Sequence, residues 1–425
     1  MEGLGVTAVL GFGALCAAFV ALALFRAAPR LAFVTWCIAL FFVPVWVGVN
    51  AGFFWGVVTI VTCGAILANW RMLKLVIVDG LVTVFAVLCV VLYALDAASL
   101  SSTVTAVLEW IVPYIWGRIV LARVSADFLT QAIAGMATAA AVLALIEFVT
   151  STNVFVLIPG NTYLAEVWGP LQLRSDFIRV EGAFGHSIAL GGALAMSAAF
   201  VLATRWSGLT KVIAVSLIGV AVVLTFSRIG VIVLVLVLVL SVLTLPQMTI
   251  KAKIAVGAGG LVAAATVVPF LSDVFLSAGD EAAGSADYRT TLLTLLPRVP
   301  LIGSAGEWDS IISSSDFAGR LVNSVDNAFL VIALRFGWIP MLLLLATCVI
   351  VGLAAFRPGD GNPAAIAVAA QLPALFGVAL ITQFGMLFWF FVGLAVSWNG
   401  RPQAAEEEAG LLSEQIPAYS SAVRP

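Results

Sequence analysis

Six arginines, Arg174, Arg179, Arg228, Arg289, Arg298 and Arg320, stand in connections between long apolar runs, and Arg335 stands inside one. A guanidinium carries a planar fork of donors that grips phosphate oxygens two at a time, so a group of them at a bilayer edge suits an anionic ligand such as a lipid-linked phosphate. They could equally pair with loop acids or lipid headgroups. Arg228 lies in the tight connection Thr225-Phe-Ser-Arg-Ile-Gly230, which puts it close to the bilayer boundary. A second feature, Arg179-Val-Glu-Gly-Ala-Phe-Gly-His186, leads through Leu190-Gly-Gly192 into an apolar run. Its glycines permit close backbone approach. His186, the only histidine, reads as a helix-end packing group or as a proton carrier. A third feature, Asn323-Ser-Val-Asp-Asn327, opens the run that continues to Gly337. Asp326 and Asn327 read either as a helix cap or as a general base with an orienting amide. Arg335 would lie about two turns deeper, where an ionisable group should face a partner or a cavity.

These residues need a scaffold, and composition says which kind. The chain of 425 residues is 63% hydrophobic and only 10% charged, with a mean hydropathy of +1.16. A water-facing surface usually carries about 25% charged residues, so the solvent around most of this chain must be lipid. The apolar runs are continuous rather than alternating, which favours helices over a barrel because each helix satisfies its own backbone. The predicted spans lie near 4–25, 31–49, 52–69, 75–95, 103–121, 129–150, 184–204, 210–227, 229–246, 254–272, 327–351, 364–382 and 384–398. The reading is an all-α polytopic membrane bundle of about 12–13 transmembrane helices. The N-terminal stretch lacks the basic region of a cleavable signal and reads as a retained first span.

Arg26 and Arg30, Arg71 and Lys74, Arg118 and Arg123, Arg205 and Lys211, Lys251 and Lys253, Arg357, and Arg401 fall on alternate connections. Positive charge marks the cytoplasmic side, which puts the N-terminus outside and the C-terminus inside. Two long connections, 151–183 and 272–325, are then extracytoplasmic, and connections of that length are usually functional or disordered. The second is acidic and contains Tyr288-Arg-Thr-Thr-Leu-Leu-Thr-Leu-Leu-Pro297, which reads as a short surface helix followed by turns at Pro300, Gly303 and Gly306. Three regions follow: N-terminal helices over 1–150, a membrane core over 151–398, and a polar cytoplasmic tail over 399–425. The five cysteines all sit in apolar runs without metal or disulfide spacing and read as packing groups. No basic patch points to nucleic acid, and no internal repeat is evident.

The segments resemble the O-antigen ligase and O-antigen polymerase family. The resemblance rests on Arg179-Val-Glu-Gly-Ala-Phe-Gly-His186-Ser-Ile-Ala-Leu-Gly191, Thr225-Phe-Ser-Arg-Ile-Gly230, Ser285-Ala-Asp-Tyr-Arg289 with Arg298-Val-Pro-Leu-Ile-Gly303, and Asp326-Asn-Ala-Phe-Leu330 with Gly337. It implies a GT-C-like membrane glycosyltransferase of the bacterial inner membrane that works without metal or other cofactor. Its partners would be a polyprenyl-diphosphate-linked glycan donor, a glycan acceptor and the bilayer. The family's diphosphate-binding arginines match Arg179 and Arg289, with Arg228 and Arg320 as supporting contacts. The ligases carry a histidine as base before the asparagine of the last motif, and Asp326 stands there instead, which favours a polymerase or a ligase with another acceptor. A transporter or flippase of lipid-linked sugars, and a non-catalytic scaffold of cell-wall synthesis, are the rival readings.

Overall fold

The computed structural model describes residues 2–71, 74–174, 177–246, 248–259 apart from 252 and 255, 292, 294–306, 325–357 and 361–398. The protein is mostly helical. Among the described residues, three helices, Ile77–Ala94, Ala126–Thr150 and Trp338–Phe356, are long and apolar enough to cross a membrane, and the pair Leu15–Ala27 and Pro29–Phe42, bent by 118°, makes a fourth if taken as one span. Such helices are those of a membrane protein. Others, such as Ser187–Ala203 at 17 residues, are apolar but shorter; a helix of that length reaches roughly 25 Å, just under the roughly 30 Å hydrocarbon layer.

The chain opens with α1 (Glu2–Ala27) and α2 (Pro29–Phe42), which turns back at Ala28, with Pro29 at its first helical position. The apolar runs predicted as spans 31–49 and 52–69 do not stay helical throughout. Their adjoining ends form a hairpin, β1 (Gly48–Ala51) against β2 (Phe53–Gly56), around Gly52 at φ +77°. A residue at that φ is cheap only as glycine. Then follow α3 (Val57–Asn69), α4 (Ile77–Ala94), and α5 (Leu100–Thr105), which passes through a π-helical turn, Ala106–Ile111, into α6 (Val112–Val120). Next come α7 (Ala126–Thr150), α8 (Thr162–Trp168) and a two-residue hairpin, β3 (Leu173–Arg174) with β4 (Phe177–Ile178). The core helices are α9 (Ser187–Ala203), α10 (Gly208–Leu224) and α11 (Arg228–Thr244). After the second long connection the chain forms α12 (Ala328–Phe336), α13 (Trp338–Leu353), α14 (Pro363–Gln371) and α15 (Thr382–Trp398).

Small residues decide the packing. The helix α9 is buried along nearly its whole length, and α7, α10, α11 and α14 surround it. Helices α6 and α15 touch backbone to backbone: a Cβ on Gly117 would strike the Phe390 carbonyl, and one on Gly393 the Tyr114 carbonyl. In lipid, where apolar surface gives little drive for association, such close approach supplies dispersion and small residues permit it.

The connections gather at two ends. At one, Arg26 Nη1 donates to the Ala68 carbonyl (3.2 Å), Arg205 lies 3.3 Å from Asp127, and Lys211 Nζ donates to the Leu202 carbonyl (2.9 Å). Arg118, read from the sequence as a loop charge, is buried at this end in an ion pair with Asp79. The opposite end carries the β1–β2 hairpin, α8, the β3–β4 hairpin and the connection between α14 and α15.

One predicted span changes character. The run 327–351 is two helices, α12 and α13, broken at Gly337, whose φ of +97° no right-handed helix accommodates. The exposed backbone groups at the break are satisfied by the segment 300–305. Gly303 N and Ala305 N donate to the carbonyls of Phe336 (2.8 Å) and Leu334 (2.9 Å), while Trp338 N and Ile339 N donate to those of Pro300 and Leu301 (both 3.0 Å). The membrane-length helix begins only at Trp338, so Arg335 belongs to a separate short helix ahead of it rather than to its interior.

Candidate functional site

The β3–β4 hairpin turns the chain so that Arg179 N meets the Gln172 carbonyl (2.9 Å). The Arg179 side chain then reaches across: Nε donates to the Thr225 carbonyl (3.0 Å) and Nη1 to Gln172 Oε1 (3.2 Å). Val180 N donates to the Leu224 carbonyl (3.3 Å), so the first and second sequence features lie side by side. Phe226, at φ +47°, turns the α10–α11 connection sharply and stacks on Phe177 at 5.6 Å. Ser227 caps α11 through Gly230 N (3.2 Å), leaving Arg228 exposed on its first turn.

Beneath Arg179, the α7 carboxylate of Glu147 accepts from Glu181 N (3.0 Å) and Gly182 N (2.9 Å). Those bonds hold the tight turn Gly182–Phe184 in front of α9, with Gly182 and Gly185 both at positive φ. Glu181 is fully buried; Oε1 accepts from Gln172 N (3.2 Å), and Oε2 has no hydrogen-bond partner among the described residues. Burial pushes its carboxyl up to about 8, against the pull of the Gln172 amide. His186 is the N-cap of α9: Nδ1 accepts from Ile188 N (3.2 Å), and Trp168 meets the ring edge-on at 5.9 Å. A ring nitrogen used as an acceptor carries no proton, so this histidine is neutral.

Asn327 is the N-cap of α12, with Oδ1 accepting from Leu330 N (2.9 Å). Asp326 precedes it on a bend. Ala328 N donates to the Val378 carbonyl (2.9 Å), Phe329 packs on Phe376 (5.0 Å), and a Cβ on Gly377 would lie 3.4 Å from Ile229 Cδ1. The connection between α14 and α15 thus joins the start of α11, beside Arg228, to the start of α12, beside Asp326.

Next to this junction is a cavity of about 590 Å³ bounded by the β1–β2 hairpin, α5 with its π-helical turn, α8, α12 and the start of α15. Val325 and Ala328, on either side of Asp326 and Asn327, line it, and so does Arg335. Glu109 lines it too, near enough to Arg335 to feel its charge. Gln383 joins the cavity to the Arg179 region: it lines the wall while Nε2 donates to the carbonyls of Val43 (2.6 Å) and Ala183 (3.3 Å).

Of the residues singled out from sequence, Arg179 and the Arg228 turn come together, His186 sits behind them, and Asp326, Asn327 and Arg335 share α12 and its approach. Arg298 is exposed at the end of a short 3-10 turn. Arg289, Arg320 and, within 288–297, residues 288–291 and 293 lie outside the described residues. Sequence reasoning passed over Glu109. Its signal was a lone acid in an apolar run, where a charge is costly without a function or a partner. Comparison with models of known protein families gave no match, and comparison with curated proteins gave no significant match.

Proposed function

We propose that this chain is a membrane glycosyltransferase that moves a polyprenyl-diphosphate-linked glycan onto a sugar acceptor at the extracytoplasmic face, as a cell-surface polysaccharide polymerase or ligase. The end bearing Arg179, Arg228 and Asp326 would face outward, and the end rich in lysine and arginine would face the cytoplasm. The observation that carries the reading is convergence. Segments 179–186, 225–230 and 326–330, far apart in sequence, are joined at one end of the bundle through Arg179 with Thr225 and through the connection that touches both Ile229 and Ala328.

The chemistry follows from charge. The acceptor oxygen attacks the anomeric carbon, the bond from that carbon to the diphosphate oxygen breaks, and the hydroxyl proton passes to the Asp326 carboxylate. The departing diphosphate gains negative charge, which the guanidiniums of Arg179 and Arg289, supported by Arg228 and Arg320, offset. A carboxylate at the mouth of a helix is an adequate base for a hydroxyl that deprotonates only as the bond forms. A polyprenyl donor keeps its tail in lipid and its diphosphate at the surface, where Arg179 and Arg228 would meet it.

The test is a membrane assay with a lipid-linked oligosaccharide donor. Arg179→Ala, Arg289→Ala and Asp326→Asn should each lower transfer by about 100-fold or more, the scale of losing one charge-stabilising group or a base. Full activity in all three variants sinks the assignment.

A further inference from the structure

The cavity beside Arg335 is not the plain apolar slot that a lipid tail prefers. Its volume of about 590 Å³ falls in the ordinary range for a small-molecule site, about 300–1,000 Å³. Glu109 and Arg335 place an acid and a base on its lining. Trp110, Thr382 and Gln383 line it as well, and each carries a buried polar atom without a hydrogen-bond partner among the described residues: indole Nε1, hydroxyl Oγ1 and amide Oε1. Two backbone features fix this wall. The π-helical turn Ala106–Ile111 carries Glu109 and Trp110, and Thr382 has φ +50°, a conformation that a β-branched residue rarely adopts. Both are departures from regular geometry of the sort that gathers at binding sites.

We propose that this cavity binds one neutral sugar ring, the acceptor's, with Glu109 and Arg335 taking hydroxyl groups and Trp110, Thr382 and Gln383 completing the contacts. The placement of the acceptor rests on the transferase reading; the binding of a sugar ring does not. A prenyl chain would cover both ionisable groups with hydrocarbon and satisfy none of the three polar atoms. A phosphate would meet the Glu109 carboxylate. A pyranose offers hydroxyls that donate to Glu109 and Gln383 and accept from Arg335 and Trp110, while Phe53, Phe54 and Trp168 present aromatic surface to its C–H face.

The experiment titrates the purified full chain in detergent with the methyl glycosides of glucose, galactose, mannose and N-acetylglucosamine, with farnesol as the apolar probe, followed by ligand-detected NMR. At least one glycoside should bind saturably, and Glu109→Gln and Trp110→Phe should each weaken it by about tenfold or more. Arg179→Ala should leave that binding intact while abolishing transfer. The proposal is overturned if no glycoside binds, if both folded variants bind as the parent does, or if farnesol alone occupies the site. Glycoside binding by a parent protein that transfers no lipid-linked glycan would retain the sugar site and reject the transferase; transfer without glycoside binding would do the reverse.

Discussion

Arg118 grips Asp79 with both arms of its guanidinium, Nε to Oδ1 at 2.7 Å and Nη2 to Oδ2 at 2.8 Å. Tyr114 adds its hydroxyl to Oδ1 (2.6 Å), Val76 N donates to Oδ2 (2.9 Å), and Arg118 Nη1 donates to Ser397 Oγ (2.8 Å). One ion pair thereby ties α4, α6 and α15 together. Removing one partner strands a buried charge, so Arg118→Leu should cost about 3–5 kcal/mol. The double variant Asp79→Leu/Arg118→Leu should lose less than the sum of the singles. Thermal unfolding in detergent gives both numbers, and an unchanged midpoint in Arg118→Leu refutes the clamp.

The α6–α15 contact gives a steric prediction with an internal control. Gly117→Ala pushes a methyl group into the Phe390 backbone, whereas a Cβ on Gly80 meets nothing within 4 Å. Gly117→Ala should destabilise by about 1–3 kcal/mol or more, while Gly80→Ala, in the helix α4, should be neutral or gain up to about 1 kcal/mol from helix propensity. Equal unfolding midpoints for the two variants would contradict the backbone contact.

Glu181 sets a pH dependence. Its carboxyl titrates at about 8 in the folded protein and near 4.3 when unfolded. Between those values the folded state holds the extra proton, so stability falls as pH rises and levels off above the folded value. The contribution is fully present below about pH 4 and lost by about pH 9. Glu181→Gln, which keeps the neutral shape, should match the parent at low pH and unfold at a higher temperature than the parent at pH 9. A slope of midpoint against pH that is the same in both proteins would exclude Glu181 as its source.

Asn327 needs a substitution that separates capping from chemistry. Asn327→Ala should cost about 1 kcal/mol, the usual worth of an N-cap, and Asn327→Ser should restore most of it. On the capping role, transfer in the Asn327→Ser protein stays within about fivefold of the parent, a difference of about 1 kcal/mol. A serine variant with parental stability and no transfer would place the amide in the reaction itself.

Apolar runs such as those near 129–150 and 229–246 were legible as helices because such a run has only one stable form in lipid, whereas the run at 364–382 stays α-helical only to Gln371. Sequence periodicity did not separate the ends of such runs from other uses of apolar residues. Gly48–Val49 and Gly52–Gly56 read by hydropathy as the adjoining ends of two membrane helices, and only the Asn50-Ala-Gly52 turn hints at a hairpin. The break at Gly337 was invisible for a related reason: its cost is removed by backbone groups from 300–305, and those bonds leave no trace in side-chain identity. Asp79 and Arg118 stand 39 residues apart, so their pairing had no local pattern to announce it. The arginine segments stood out because a charge in a connection between apolar runs is anomalous by itself. Glu109 was anomalous in the same way and was passed over because its counterpart lies on a distant helix.

The segment 303–305 does more than mend a helix end. Ala305 N holds the Leu334 carbonyl next to Arg335, and Ser304 N holds the Ala97 carbonyl (2.7 Å) just ahead of the helix that carries Glu109. The spacing of Glu109 and Arg335 along the cavity lining is therefore gauged by main chain from the second long connection. Side-chain changes at 303–305 should leave that gauge as it is. A proline at 305, which removes the N–H, should slacken it, as a loosened tensioner slackens a belt.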